Sequence, residues 1–238
     1  IIRLLQLESN PRMLLDKIDF TDFEYIFDDT QESIEDMDFI DCSQEISVLV
    51  NNAPKLSTKQ EKCIDLIESI VTQEKTVICW CIFKRSMYDL QRALSELNIS
   101  SEIINGSIGR DERDVILSDF KNKKFSVLIT NPHTLAESVS LHTICHDAVY
   151  FEYSYNLVHL LQSKDRIHRL GLPDGQYTQY YYLMDYFKVN GKDYSLDRMI
   201  YNRLMDKELL MLNAIDHKVL ETGASDEEDL QLILGDLY

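Results

Sequence analysis

Hydrophobic positions along this chain follow two alternating rhythms. One is the three-and-four spacing of a helix with a single buried face; the other is the unbroken apolar run of a strand covered on both sides. Cys63, Ile64, Ile67, Ile70 and Val71 keep the helical spacing after Ser57, a residue type that caps helix N-termini, so a helix is predicted from there. Residues 76–82 form an apolar run that predicts a strand. A helix follows near 85–97, then a short strand over 101–104 ending at Asn105-Gly106, then a helix over about 110–121 and a strand over 125–130. After a loop come a strand over 148–151, a helix near 157–169 running up to Gly171 and Pro173, and a Tyr-rich strand over 178–184. A long amphipathic helix over about 195–217 closes the body. Upstream, Leu4, Leu5, Leu7, Met13, Leu14 and Leu15 give residues 1–18 helical spacing, broken at Ser9-Asn10-Pro11.

Strands that alternate with helices of ten to fifteen residues imply right-handed crossovers and a mainly parallel sheet. The pattern therefore predicts a three-layer α/β domain, and such folds hold ligands at the carboxyl ends of their strands. Five segments follow: residues 1–18, a helical lead-in; 19–52, an acidic insertion or linker; 53–190, the α/β body; 191–218, a bracing helix; and 219–238, an acidic tail.

Charge sharpens this division. The net charge is −17, with 24 Lys and Arg against 41 Asp and Glu. As a whole that argues against non-specific nucleic-acid binding, which needs a cationic surface. Yet residues 19–41 hold ten acids and no base, and residues 219–238 hold six acids and no base. The rest is nearly neutral, so a basic face on the body stays open. Residues 19–41 also interleave Phe20, Phe23, Tyr25, Phe27 and Phe39 with their acids. That strip reads as a solvated insertion, or as a surface that docks a protein partner or masks a basic groove. No run approaches eighteen apolar residues, so no membrane-spanning helix is expected. The chain starts Ile1-Ile2-Arg3, without Met and without a basic-then-apolar leader, which reads as a piece of a longer protein with no secretory signal here. Cys79 and Cys81 share one face of a predicted strand and read as buried thiols in a reducing compartment.

The chemistry is narrowed by what the motifs leave out. There is no GxxxxGK[ST] loop, no GxGxxG, no HExxH and no GxSxG. His142, Cys145 and His146 cluster before a strand, but a fourth ligand is not evident, so no metal site is expected. The informative run is Gln162-x-x-Asp165-Arg166-x-His168-Arg169-Leu170-Gly171. Two arginines three apart near a helix end would share a face, and a planar guanidinium forks onto phosphate oxygens.

That run resembles motif VI, QxxDRxHRxGQ, of the second RecA-like lobe of Swi/Snf-type superfamily-two DNA translocases. Other blocks coincide in order. Residues 127–130 followed by Leu135-Ala136-Glu137-Ser138-Val139-Ser140-Leu141 resemble motif V, and residues 76–83 the motif IV strand. Asn105-Gly106-Ser107 with Arg110-Asp111-Glu112-Arg113 resembles the DGS…eeR block. Residues 4–11 resemble the helix that enters this lobe, and residues 195–209 the bracing helix.

The resemblance implies a RecA-like, P-loop NTPase-type fold and a C-terminal motor lobe of an ATP-dependent double-stranded DNA translocase. ATP with Mg would bind mainly on an N-terminal RecA-like lobe of the same polypeptide, leaving this fragment inactive alone. Arg166 and Arg169 would be arginine fingers, Gln162 would orient that region, and Asp165 would hold the arginines. Glu137 and Ser140 would lie near the interlobe cleft beside the nucleotide. Thr130 would touch a DNA phosphate, with Asn105 and Gly106 also at the nucleic acid. Departures from the pattern are Ala136 and Ser138 where motif V carries glycines, Ser140 for Asn, and Leu172 for the final Gln of motif VI. The glycine-poor loop resembles a bacterial branch, implying a cytoplasmic, nucleoid-associated setting. Two other readings stay open: a non-catalytic RecA-like interaction module, and a lobe of an RNA helicase.

Overall fold

The computed structural model describes residues 2–16, 44–135, 139–169, 172, 175–189 and 191–217. Five parallel strands form the main sheet: β1 (Val77–Trp80), β2 (Ser101–Ile104), β3 (Val127–Thr130), β4 (Asp147–Tyr150) and β5 (Gln179–Tyr182). Their spatial order is β2-β3-β1-β4-β5, so β1 is central. Because side chains alternate across a strand, β1 sends Val77 and Cys79 to one face and Ile78 and Trp80 to the other. Both faces are covered, which explains why the strands read as continuous apolar runs.

Helices α3 (Thr58–Val71) and α4 (Lys84–Glu96) cover the first face, burying Cys63, Ile67, Met87 and Leu90. Helices α5 (Arg110–Lys121), α6 (Leu157–Ile167) and α7 (Leu196–His217) cover the second, joined by α1 (Ile2–Ser9). The result is the predicted three-layer architecture. Cys63, Cys79 and Cys81 are buried together between α3 and β1.

The lead-in breaks where the sequence places the break, at Ser9-Asn10-Pro11, and its second piece is a 3₁₀ turn (Pro11–Leu15) that Asn10 caps and Pro11 opens. Three details depart from the pattern. A helix, α2 (Gln44–Asn51), lies inside the stretch read as an acidic insertion. An antiparallel hairpin of β6 (Phe187–Val189) and β7 (Lys192–Tyr194) precedes α7. Finally, α6 stops at Ile167, two residues short of the predicted end. Residues 17–43 and 218–238, which hold the acidic stretches, lie outside the described residues.

Buried polar groups fasten the lead-in to the body. Glu8 is only 2% exposed and accepts the backbone N–H groups of Leu196 (2.6 Å) and Asp197 (2.8 Å), capping the start of α7. Asp197 in turn pairs with Lys59 of α3 at 2.6 Å, and Lys59 lies 5.2 Å from the centre of the Phe151 ring. Among the described residues no helix is long and apolar enough to cross a membrane.

Candidate functional site

The site grows from the carboxyl ends of β1, β3 and β4, where the strand order reverses around β1. Helix α6 begins there because Asn156 accepts the His159 N–H at 3.1 Å. Leu160 and Ile167 bury one face of it, and Tyr150 from β4 holds Ser163 at 2.7 Å. Lys164 and Arg166 sit in its last turn, where positive charge suits the helix dipole.

The two arginines are not equivalent. Arg166 is 6% exposed and donates from Nη1 to the Val139 carbonyl at 3.4 Å. Burial, and next the charge of Arg169, push its guanidinium below its ordinary pKa, with Asp165 partly opposing. Arg169 stands beyond the helix, in exposed chain, with its Nε on the Asp165 carbonyl at 3.1 Å. The shared helical face predicted for the pair is not formed. His168 takes an extended conformation (φ −121°, ψ 111°), so the chain turns out of the helix between the two arginines. Asp165 reaches Arg169 through its main chain; its side chain is exposed. Gln162 is half-buried on α6.

The remaining predicted residues divide between the two ends of the sheet: Thr130 and Asn105 follow the carboxyl ends of β3 and β2, whereas Ser140 and Cys145 lie with the end of α6 by the amino ends of β1 and β4. Thr130 ends β3 fully buried, its hydroxyl donating to the Asn131 carbonyl at 3.4 Å, so it offers no surface in this arrangement. Asn105 is also buried; its Oδ1 accepts the Ser107 N–H (2.9 Å) and its Nδ2 faces the Tyr88 hydroxyl (3.3 Å). That makes it the organiser of the turn that exposes Gly106. Ser140 is half-buried and bonds His142 Nδ1. Glu137 lies outside the described residues. Cys145 is buried with its thiol toward the carbonyls of Thr76 and Asp147.

Two features escaped the sequence reading. A groove of about 610 Å³ runs along α5, lined by Arg110, Arg113 and Lys121 and closed by Thr134 and Val139 of the β3–β4 connection. Asp114 lines it too, so the lining sets three cations against one acid, a net positive surface of the kind the charge count left open. The other is Glu152, completely inside the protein at the end of β4. It accepts the N–H groups of Ile82 (2.8 Å) and Phe83 (2.9 Å) and the Ser86 hydroxyl (2.6 Å). It thereby serves the start of α4, whose own N-cap, Phe83, has no capping side chain. That missing cap was the only sequence signal that a carboxylate must come from elsewhere.

Residues 58–171 match the helicase conserved C-terminal domain. Among solved structures, the C-terminal part of the Fun30 ATPase domain superposes with a TM-score of 0.52 at 19% identity, covering 62% of this chain and 45% of that one. S. cerevisiae Dbp5 bound to RNA and ADP BeF3 superposes at 0.50 and 16% identity, covering 62% of this chain and 35% of that one. The chain thus spans less than half the length of either. Both likenesses are of fold, and the fold is RecA-like. A search of curated protein sequences finds no match.

Proposed function

We propose that this helicase C-terminal domain is the second motor lobe of an ATP-dependent double-stranded DNA translocase of Swi/Snf type, with Arg169 as the finger it offers to ATP. The observation that carries the reading is the exposed guanidinium of Arg169, held just past α6 beside the amino end of β5, where His168 meets the Thr178 hydroxyl. Asp165 supplies only a carbonyl to its Nε, so the planar fork faces outward. ATP hydrolysis needs the spreading charge on the transferred phosphoryl group to be neutralised, and an arginine finger is worth on the order of 10³–10⁵ in rate. The nucleotide, with Mg, is held on a separate N-terminal lobe in this reading, so closure of the two lobes brings Arg169 to it. Closure is a hinge motion around a bound ligand, and it makes hydrolysis depend on the position of anything gripped by both lobes. The groove along α5, with Arg110, Arg113 and Lys121, offers the cationic surface for a phosphate backbone.

Turnover of the polypeptide that joins this chain to its N-terminal lobe tests the reading. Duplex DNA is expected to stimulate ATP hydrolysis at least tenfold, with single-stranded RNA far weaker. Stimulation by RNA alone would make the lobe that of an RNA helicase. No hydrolysis with either polymer would leave an interaction module.

A further inference from the structure

Two arginines from different helices hold the connection between β3 and β4 by its carbonyls. Arg113 of α5 donates from Nη1 to Thr134 (3.0 Å) and from Nη2 to Ile108 (3.3 Å). Arg166 of α6 donates from Nη1 to Val139 (3.4 Å), and its own carbonyl accepts the Leu141 N–H (2.8 Å). Leu135 and Leu141 are sunk in the core beneath these bonds. Residues 131–135 are thus tied to α5, and residues 139–141 to α6.

The geometry points to Arg113 and Arg166 as positioning residues, two clamps that fix the β3–β4 connection between the basic groove and the arginine end of α6. Arg113 spans two carbonyls with one planar fork, which a lysine, a single point charge on a flexible stem, does not reproduce. Arg166 engages the connection through both its side chain and its main chain. The arginines of α6 therefore divide the work: Arg169 faces outward, and Arg166 holds the loop. Arg113 lines the groove while gripping Thr134, so an anion entering the groove competes for the guanidinium that holds the loop. For what the loop serves, this inference rests on the proposed function; for the clamp, it rests on hydrogen-bond geometry alone.

Amide hydrogen exchange on this chain tests the clamp without any activity. The probes are the N–H groups of Thr134, Leu141, Ile144 and Cys145, all hydrogen-bonded within the connection or to Arg166. Rates are read as ratios to β1 amides in the same sample, so a general loss of stability divides out. Arg113→Lys is expected to speed the Thr134 amide at least tenfold, and Arg166→Lys those of Leu141, Ile144 and Cys145. Arg169→Lys is expected to leave all four at wild-type ratios. Wild-type ratios in Arg113→Lys and Arg166→Lys would overturn the clamp. In the two-lobed polypeptide, Arg113→Lys is expected to raise the DNA concentration for half-stimulation, with KM for ATP unchanged. A pure kcat loss in Arg166→Lys, equal with and without DNA and matching Arg169→Lys, would make Arg166 a finger and overturn the division. Loosened amides with an unaltered DNA dependence in Arg113→Lys would refute the competition for Arg113 at the groove while the clamp stood.

Discussion

At the residue scale, two buried carboxylates take helix-start N–H groups that no nearby side chain takes; at α7 the local Ser195 hydroxyl accepts only the Arg198 N–H. Glu152 serves three donors at the start of α4, and removing it strands two N–H groups and a hydroxyl in the interior. Glu152→Ala is expected to cost about 3 kcal/mol, read as a shift in the denaturant midpoint. Glu8 carries a pH signature. Burial first, and the charge of Asp197 next, raise its carboxyl from the ordinary 4.5 to about 8. The folded protein then binds a proton that the unfolded chain gives up above about 4.5. The stability Glu8 contributes is therefore full below that pH, declines as pH rises, and is gone above about 8. The gap in melting temperature between wild type and Glu8→Gln is expected to change across that window in favour of the variant. A constant gap from pH 5 to 9 would remove Glu8 as its source. Neither carboxylate was legible in the sequence, because each caps a helix across a long separation: Glu8 lies 188 residues from Leu196 and Glu152 lies 69 from Phe83. Side-chain periodicity reports which face is buried, not which distant acid reaches it.

At the element scale, helices α4 and α5 end alike. Asn98 (φ 58°) and Lys123 (φ 55°) take the left-handed conformation just past the last turn, and Ile99 and Lys124 donate back to Leu94 and Asp119. Asn tolerates that conformation; Lys does so at a steric cost that glycine avoids. Lys123→Gly is expected to stabilise the protein by about 0.5–1 kcal/mol in denaturant unfolding. A loss of stability would mean that the Lys123 side chain contributes more than its backbone costs. The elements themselves were the most legible part of the chain. Ser57 marked the start of α3, where the structure shows a reciprocal capping box with Gln60. The hairpin of β6 and β7 was missed although Asn190-Gly191 is a strong two-residue turn signal, and Gly191 has φ 80°. Its strands have three residues each, too short for alternation to stand out. The end of α6 was placed late because the stop signals Gly171 and Pro173 lie past the point where His168 turns extended.

At the scale of the whole molecule, the net charge of −17 hides a basic groove. Counting charge by segment left that surface open, and the predicted helix over 110–121 already held Arg110, Arg113 and Lys121, but only the fold sets them beside the β3–β4 connection. The candidate site was legible as a list of residues and not as roles. Thr130 and Asn105 are buried, while Arg166 and Arg169 separate into an inward and an outward guanidinium. Arg169 is proposed to act on a nucleotide held by another lobe, and DNA-stimulated ATP turnover of the two-lobed polypeptide carrying Arg169→Ala, with nucleotide binding measured alongside, reads that action. Turnover is expected to fall at least a hundredfold with binding retained. Turnover near that of the wild type would remove Arg169 from that role.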